Sequence, residues 1–278
     1  MEIFIVGNKG QFSEKIANLI SKQFKIDLFQ IDKNMKVLES LYEIEENLKQ
    51  NQYRFLIYLG GETRNNDLME RFNQDFLIQI SKCCLKFNIS LIYLSSLAVY
   101  GVPSNREVTA ISRRNPFDLY GKTKNNADTF IKNNIGKNYI FSLIPASIVS
   151  DSENNFYVKL KKIMMTKVIK SVFYVLCPGG QFSFCTCEDI VDEIIRAINF
   201  SSEIKKQDIF SDTKYQERIV SRGVRIREIF YDANKYYPIF TMPIVSIKLL
   251  RSIFFFLPSR LLLRIIFLFS LVHYRNTN

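Results

Sequence analysis

The sequence predicts an α/β fold, a doubly wound parallel sheet with a smaller C-terminal substrate lobe. Three observations carry that expectation. Short apolar runs alternate with stretches of helical periodicity through the first half of the chain. A glycine-bearing turn, Gly7-Asn8-Lys9-Gly10, joins the first run to the first helical stretch, and Asp32 closes the second run. Together these are the marks of a Rossmann-type sheet, in which the turn after the first strand faces a pyrophosphate and the acidic residue faces a ribose.

Each element has its own warrant. Glu2–Val6 reads as a short buried strand and Gly7–Gly10 as a turn. Phe12, Ile16, Leu19, Ile20 and Phe24 recur at helical spacing, which predicts a helix over Phe12–Phe24. Ile26–Ile31 is the second strand, and Phe55–Leu59 the third, closed by Gly60 and Gly61. A helix over Phe72–Phe87 leads to the strand Ile89–Leu94, which ends at Ser95 and Ser96. Phe117–Asn133 is expected to be helical, and Tyr139–Ile144 is a strand stopped by Pro145. Further on, Phe182–Cys187 resembles a strand and Cys187–Ile198 a helix opened by acidic residues. Strands alternating with helices require right-handed crossovers and hence a parallel sheet. The expected division is a dinucleotide-binding core over 1–150 and a lobe over 151–278, with 181–200 returning to the core.

Bulk properties narrow the function classes. The chain has 278 residues, 47% hydrophobic and 23% charged, which describes a globular protein. Its formal net charge is +11, and the excess gathers at one end. From Ala233 onward there is no Asp or Glu, while Lys235, Lys248, Arg251, Arg260, Arg264 and Arg275 are basic. The excess therefore sits in an apolar tail, with no aromatic–basic recognition motif, so nucleic acid is not an expected partner. Within that tail, Ile244–Leu257 and Leu261–Val272 flank Pro258-Ser259-Arg260, too interrupted to span a bilayer. Packing in the substrate lobe, capping of the substrate pocket and peripheral contact of 244–272 with an anionic membrane all remain open. Five cysteines with no secretory leader fit free thiols in a reducing compartment, hence a cytoplasmic protein, at the membrane's cytoplasmic face if the tail binds there. Cys185 and Cys187 lack further ligands, and His273 is the only histidine, so no metal is expected.

Two constellations carry chemistry. Strand, Gly7-x-x-Gly10 and helix aim backbone N–H groups at phosphate, a weak signal alone because any βα turn can look alike. Asp32 favours NAD, since a 2′-phosphate would meet its carboxylate; Lys9 and Lys33 nearby keep NADP open. The second is Tyr120-Gly-Lys-Thr-Lys124: Tyr and Lys four apart share one helix face, and an ammonium beside a phenol favours its working as acid or base near neutrality. Tyr157/Lys161 and Tyr231/Lys235 repeat the spacing, but only Tyr120 is preceded by a strand ending in Ser95-Ser96. Those serines could equally cap a turn.

In this order the motifs make the chain resemble the extended short-chain dehydrogenase/reductase family, especially its nucleotide-sugar epimerases and reductases. The matching residues are Gly7-x-x-Gly10, Asp32, Leu59-Gly60-Gly61, Asn73, Ser95-Ser96-x-Ala98-Val99-Tyr100-Gly101, Tyr120-x-x-x-Lys124 and Pro145-Ala-Ser147, spread over about 1–235. The resemblance implies a catalytic set of Ser96, Tyr120 and Lys124. It implies cofactor contacts from Gly7, Gly10, Phe12, Asp32, Gly60 and Gly61, with Tyr120 and Lys124 also at the cofactor and Pro145 and Ser147 beside the nicotinamide. Ser96, Ala98 and Tyr120 would face the substrate, and Asn73 would support the site from a helix. Gln181–Asp189 would be the strand-to-helix segment returning to the core, and Arg225–Tyr231 a late helix of the lobe. Departures from the pattern are Ser13 for glycine, Gly60-Gly61 for Ala-Ala, Ile144 for Arg and Ser147 for Asn. Leu97 and Ala98 replace the acidic pair of the sugar dehydratases, which argues against dehydration.

The implied function is an NAD(P)-dependent nucleotide-sugar epimerase in surface polysaccharide sugar biosynthesis. Tyr120 would take a proton from a sugar hydroxyl, most plausibly at C4, with hydride leaving and returning on the opposite face. The alternative is an NAD(P)H-dependent 4-keto-6-deoxysugar reductase; a third reading is a non-catalytic dinucleotide-binding protein of the same fold. NAD is the expected cofactor with NADP as the alternative, a nucleotide sugar the expected substrate, and a homodimer the expected assembly if the chain has one.

Overall fold

In a computed structural model the described residues are 2–32, 37–101, 107–134, 136, 138–149, 181–207, 214–225 and 273–274. β1 (Glu2–Asn8), α1 (Gln11–Ile20), β2 (Lys25–Ile31), α2 (Val37–Gln50) and β3 (Phe55–Tyr58) come first. α3 (Asn66–Met69), a π-helical turn (Glu70–Asp75) and α4 (Phe76–Lys86) follow. β4 (Ser90–Leu94) leads through a 3-10 turn (Leu97–Tyr100) and β5 (Glu107–Val108) to α5 (Leu119–Asn133), β6 (Ile140–Pro145) and β7 (Ser147–Ile148). β8 (Gln181–Cys185), α6 (Cys187–Gln207), β9 (Tyr215–Val220), β10 (Arg222–Arg225) and β11 (His273–Tyr274) complete the described elements.

The main sheet has six parallel strands in the order β2-β1-β3-β4-β6-β9. Its strands are buried on both faces, which is why they read as unbroken apolar runs. Period-two alternation assigns their side chains. Ile3, Ile5, Phe55, Ile57, Ile92, Phe141 and Leu143 pack against Ile16 and Ile20 of α1 and Ile190, Ile194 and Ile198 of α6. Phe4, Val6, Leu56, Tyr58, Leu91 and Tyr93 turn to the other face, against α2, α4 and α5. The α/β doubly wound expectation is met.

The order of strand addition reverses at β1, with β2 laid on one side of it and β3 on the other, all three parallel. That switch point opens a crevice at the carboxyl ends of β1 and β3, where such sheets bind ligands. Two small sheets lie apart from the main one: β10-β8-β7 and the parallel pair β11-β5.

Several boundaries differ from expectation. The helix expected over Phe12–Phe24 stops at Ile20, and the one expected to end at Ile198 continues to Gln207. Its start is a reciprocal cap: the Asp189 carboxylate accepts the Thr186 N–H at 2.9 Å, and the Thr186 hydroxyl oxygen accepts the Asp189 N–H at 3.2 Å. The helix expected over Phe72–Phe87 is three pieces. Asn65 caps α3, accepting the Asp67 N–H at 2.9 Å, and the π-helical turn then shifts the register before α4 begins. α2 and β9 were not among the expected elements. Arg225, expected to open a late helix, ends β10. The rest of that segment, most of 151–278 and the tail 244–272 lie outside the described residues.

Candidate active site

Residues from five segments line a cleft of about 510 Å³ at the switch point. The turn after β1 supplies Asn8, Lys9, Gly10, Gln11, Phe12 and Ser13. Leu59, Gly60, Gly61, Thr63 and Arg64 follow β3; Leu94 and Ser95 end β4; Tyr120 and Lys124 come from α5; Pro145 and Ile148 come from the end of β6 and β7. The structure thus brings Gly10, Phe12, Gly60, Gly61, Tyr120, Lys124 and Pro145 together. Gly7, Asp32, Ser96, Ala98 and Ser147 do not line this cleft. Gly7 lies inside β1, Asp32 just past the end of β2, and Ser147 is exposed on β7.

The phosphate turn has the backbone its sequence implied. Gly10 stands at φ 146° and ψ 169°, a region reserved to glycine, and a Cβ there would meet nothing within 4 Å. The space above Gly10 is therefore open, at the N-terminus of α1. Gly7 serves a different purpose: a Cβ on it would lie 2.3 Å from Ser13 Oγ. Ser13 thus occupies, from the helix side, room that glycine leaves on the strand side. The departure from a third glycine is compensated at Gly7. Gly60 is explained similarly, since its Cβ would lie 2.4 Å from the Tyr58 hydroxyl. That hydroxyl donates to the Phe72 carbonyl at 2.9 Å, so a Tyr on β3 demands a glycine two residues on.

Two further facts test the fit to a dinucleotide. Asn8 donates its amide to the Gly61 carbonyl, while Asn8 Oδ1 is buried with no hydrogen-bond partner among the described residues. An unmet acceptor in this cleft suits a ligand donor such as a hydroxyl. The open shelf above Gly10 suits phosphate oxygens. The residues present fit the group.

α5 carries Tyr120 and Lys124. Asp118 caps it, accepting the Gly121 N–H at 2.8 Å. Gly121 lets the helix approach the 3-10 turn: its Cβ would lie 2.5 Å from the Ala98 carbonyl oxygen. That approach brings Tyr120 beside Ser96, whose hydroxyl favours the phenolate. Ser96 also caps the 3-10 turn, accepting the Ala98 N–H at 3.2 Å, as the capping reading of this serine expects. Burial pushes the Tyr120 phenol above its ordinary value, against the pull of the Ser96 hydroxyl. Lys124 is 3% exposed, and its Nζ donates to the Leu94 carbonyl at 2.8 Å. Burial brings this ammonium down to about 8, with the charge of Asp128 opposing.

Asn73 sits on the π-helical turn, fully buried. Its Oδ1 accepts the Glu62 N–H and its Nδ2 donates to the Glu62 carbonyl, both at 2.8 Å. It thereby fixes the strand exit beside Lys124. The Glu62 carboxylate in turn accepts the N–H groups of Thr63 at 2.8 Å and Arg64 at 2.7 Å. Thr63, Arg64 and Ile148 are cleft residues that sequence reasoning missed. Their only signal was adjacency to the glycines and Pro145. Among the described residues no group of three or more His, Cys, Asp or Glu could hold a metal, and no helix is long and apolar enough to cross a membrane.

A parallel sheet with a ligand crevice at its switch point, edged by Ser, Tyr and Lys, defines a nicotinamide-dependent oxidoreductase of the extended short-chain dehydrogenase/reductase type. The chain belongs to the RmlD substrate binding domain family, whose model matches residues 1–173. No curated protein matches it significantly. Solved structures share its fold. The dTDP-4-dehydrorhamnose reductase of Clostridium acetobutylicum is 17% identical, covering 79% of this chain and 73% of that one, with a TM-score of 0.57. The dTDP-4-dehydrorhamnose reductase of Bacillus anthracis, in complex with NADP, is 16% identical over 87% and 83%, with a TM-score of 0.60. The Bordetella bronchiseptica enzyme WbmG, in complex with NAD, is 15% identical over 83% and 76%, with a TM-score of 0.61.

Proposed function

We propose that the protein is an NAD(P)H-dependent reductase of a nucleotide-linked 4-keto-6-deoxysugar. The epimerase expectation gives way to its alternative because the family model is that of the RmlD type and two of the three neighbours described above are named dTDP-4-dehydrorhamnose reductases. The observation that carries the reading is Tyr120 in the cleft wall, one helical turn from the buried Lys124 and with Ser96 beside it just outside the lining. A phenol whose pKa is raised keeps its proton at neutral pH, and a proton donor is what ketone reduction needs.

A bound reduced nicotinamide would supply the hydride. The turn at Asn8–Phe12 would hold its pyrophosphate, and Gly60 and Gly61 would let it lie close to the sheet. Lys124 would hold the nicotinamide-side ribose, Pro145 would back the ring, and the cleft accommodates NAD or NADP. Ser96 would orient the ketone oxygen, and Tyr120 would donate its phenolic proton to that oxygen as the carbonyl carbon becomes a carbinol.

The test is Tyr120→Phe assayed with dTDP-4-dehydrorhamnose and reduced nicotinamide. Losing the proton donor should lower kcat by about 10²–10⁴-fold, with cofactor affinity in a fluorescence titration nearly unchanged. A variant that keeps more than half the activity would remove Tyr120 from the reaction.

A further inference from the structure

Beneath the catalytic side chains lies a buried ionic cluster that none of the expected roles uses. Asp128 is 1% exposed on α5, one turn past Lys124. Its Oδ2 accepts hydrogen bonds from Ser95 Oγ and from Arg114 Nη1, each at 2.6 Å, and its Oδ1 accepts from Ser142 Oγ at 3.5 Å. Arg114, in the segment before α5, also reaches Glu217 of β9 at 3.1 Å and lies over the Tyr100 ring at 5.9 Å. One carboxylate thus ties together the end of β4, the approach to α5, α5 itself and β6; Arg114 extends the tie to β9.

The cost of such an arrangement is large. Burying a carboxylate takes several kcal/mol that geometry must return, and apolar side chains would have packed this space more simply. Its position suggests the return. Ser95 precedes Ser96 in the chain, and Asp128 shares a helix face with Lys124. Both catalytic segments are therefore anchored to the same carboxylate.

We propose that Asp128, clamped by Arg114 and Ser95, is a positioning residue that locks the strand end bearing Ser96 to the helix bearing Tyr120 and Lys124, and that it is the counter-charge of the buried Lys124 ammonium. This rests on the assignment of Ser96, Tyr120 and Lys124 above. Around the pair stand Arg114, Glu217 with Lys132 beyond it at 3.9 Å, and the phenols of Tyr93, Tyr100, Tyr120 and Tyr215. Burial raises all four phenols, so they stay neutral at neutral pH, and among the described residues Asp128 is the carboxylate whose charge favours the Lys124 ammonium.

Opposite substitutions then have opposite signs. Asp128→Asn removes the counter-charge, so Lys124 loses its proton at lower pH. Arg114→Gln removes a competing cation and frees the carboxylate, so Lys124 keeps its proton to higher pH. The experiment is NMR of isotope-labelled lysine in the intact protein, with the Lys124 resonance assigned through Lys124→Met and followed against pH. Wild type should titrate near 8. Asp128→Asn should move that midpoint down by about one pH unit or more, and Arg114→Gln should move it up. In parallel, kcat of Asp128→Asn should fall about tenfold or more while cofactor affinity is nearly kept, as expected when reacting groups are displaced slightly. Ser95→Ala, which leaves both charges in place, should lower kcat without moving the midpoint, and it stands in if Asp128→Asn does not fold. Midpoints unmoved in both charge variants, moved in the same direction, or near the ordinary lysine value of about 10.4 in wild type would overturn the proposal. The NMR arm needs no substrate, so a retained activity of Tyr120→Phe would sink the catalytic assignment and leave the charge coupling separately decided.

Discussion

At the scale of single residues, the site depends as much on side chains that are missing as on those present. Gly121 is the sharpest case. In an open helix, replacing Gly by Ala stabilises by about 1 kcal/mol. Here the added methyl would sit 2.5 Å from the Ala98 carbonyl, so α5 must retreat from the turn that holds Ser96. Gly121→Ala is therefore expected to lower the melting temperature and to reduce kcat on the order of 10²-fold, as a displacement of about 1 Å does. Thermal denaturation and steady-state assays check this; a higher melting temperature with unchanged kcat would contradict it. The run Tyr120-Gly121-x-x-Lys124 was legible in the sequence because helical spacing places Tyr and Lys together and, unlike Tyr157/Lys161 and Tyr231/Lys235, it follows a strand ending in Ser95-Ser96. The compensations were not. Ser13 looked like a departure until it was seen opposite Gly7, and Gly60 until it was seen against the Tyr58 hydroxyl. Such pairings join residues distant in sequence, and a linear reading shows no sign of them. Asp32 points the same way: it closes β2 as expected but does not line the cleft, because closing a strand fixes a residue's height in the sheet and not the direction of its side chain.

At the scale of elements, the legible ones were those whose apolar residues run continuously or at strict spacing. β1, β3, β4 and β6 are buried on both faces and announced themselves. β9 did not. Only its last two residues are fully buried, and Gln216, Glu217 and Arg218 interrupt it, with Glu217 held in the Arg114 ion pair. A strand whose polar side chains are satisfied by a buried network looks like a loop. α2 was missed although Leu41, Ile44 and Leu48 recur at helical spacing, since Glu and Asn crowd the rest of its surface. α6 shows what a well-marked helix contributes. Ile194 is fully buried between α1 and the sheet. Ile194→Ala should cost about 2–5 kcal/mol in urea unfolding, from lost transfer energy and the cavity left behind. A loss under about 1 kcal/mol would mean that α6 is not integral to this core.

At the scale of the whole molecule, topology delivers the chemistry. Placing β1 between β2 and β3 opens the crevice, and right-handed crossovers put α1 and α5 at its edges. The cleft residues come from the carboxyl ends of strands, the loops that leave them and the first turns of the helices α1 and α5. What the cleft takes is settled less by the fold, which serves many reactions, than by the phenol and the ammonium at its edge. Burial leaves the phenol a proton donor and the lysine near its titration point, a combination suited to delivering a proton to a ketone.

The central claim is therefore a one-way reduction, and stoichiometry tests it most directly. Wild-type protein would be mixed with dTDP-4-dehydrorhamnose and a limiting amount of NADH or NADPH, following nicotinamide oxidation and the sugar product together. The account predicts one nicotinamide oxidised per keto-sugar reduced, with reaction stopping when the reduced cofactor is exhausted. Sugar interconverted with no net consumption of cofactor, or no oxidation of either nicotinamide despite binding, would contradict it.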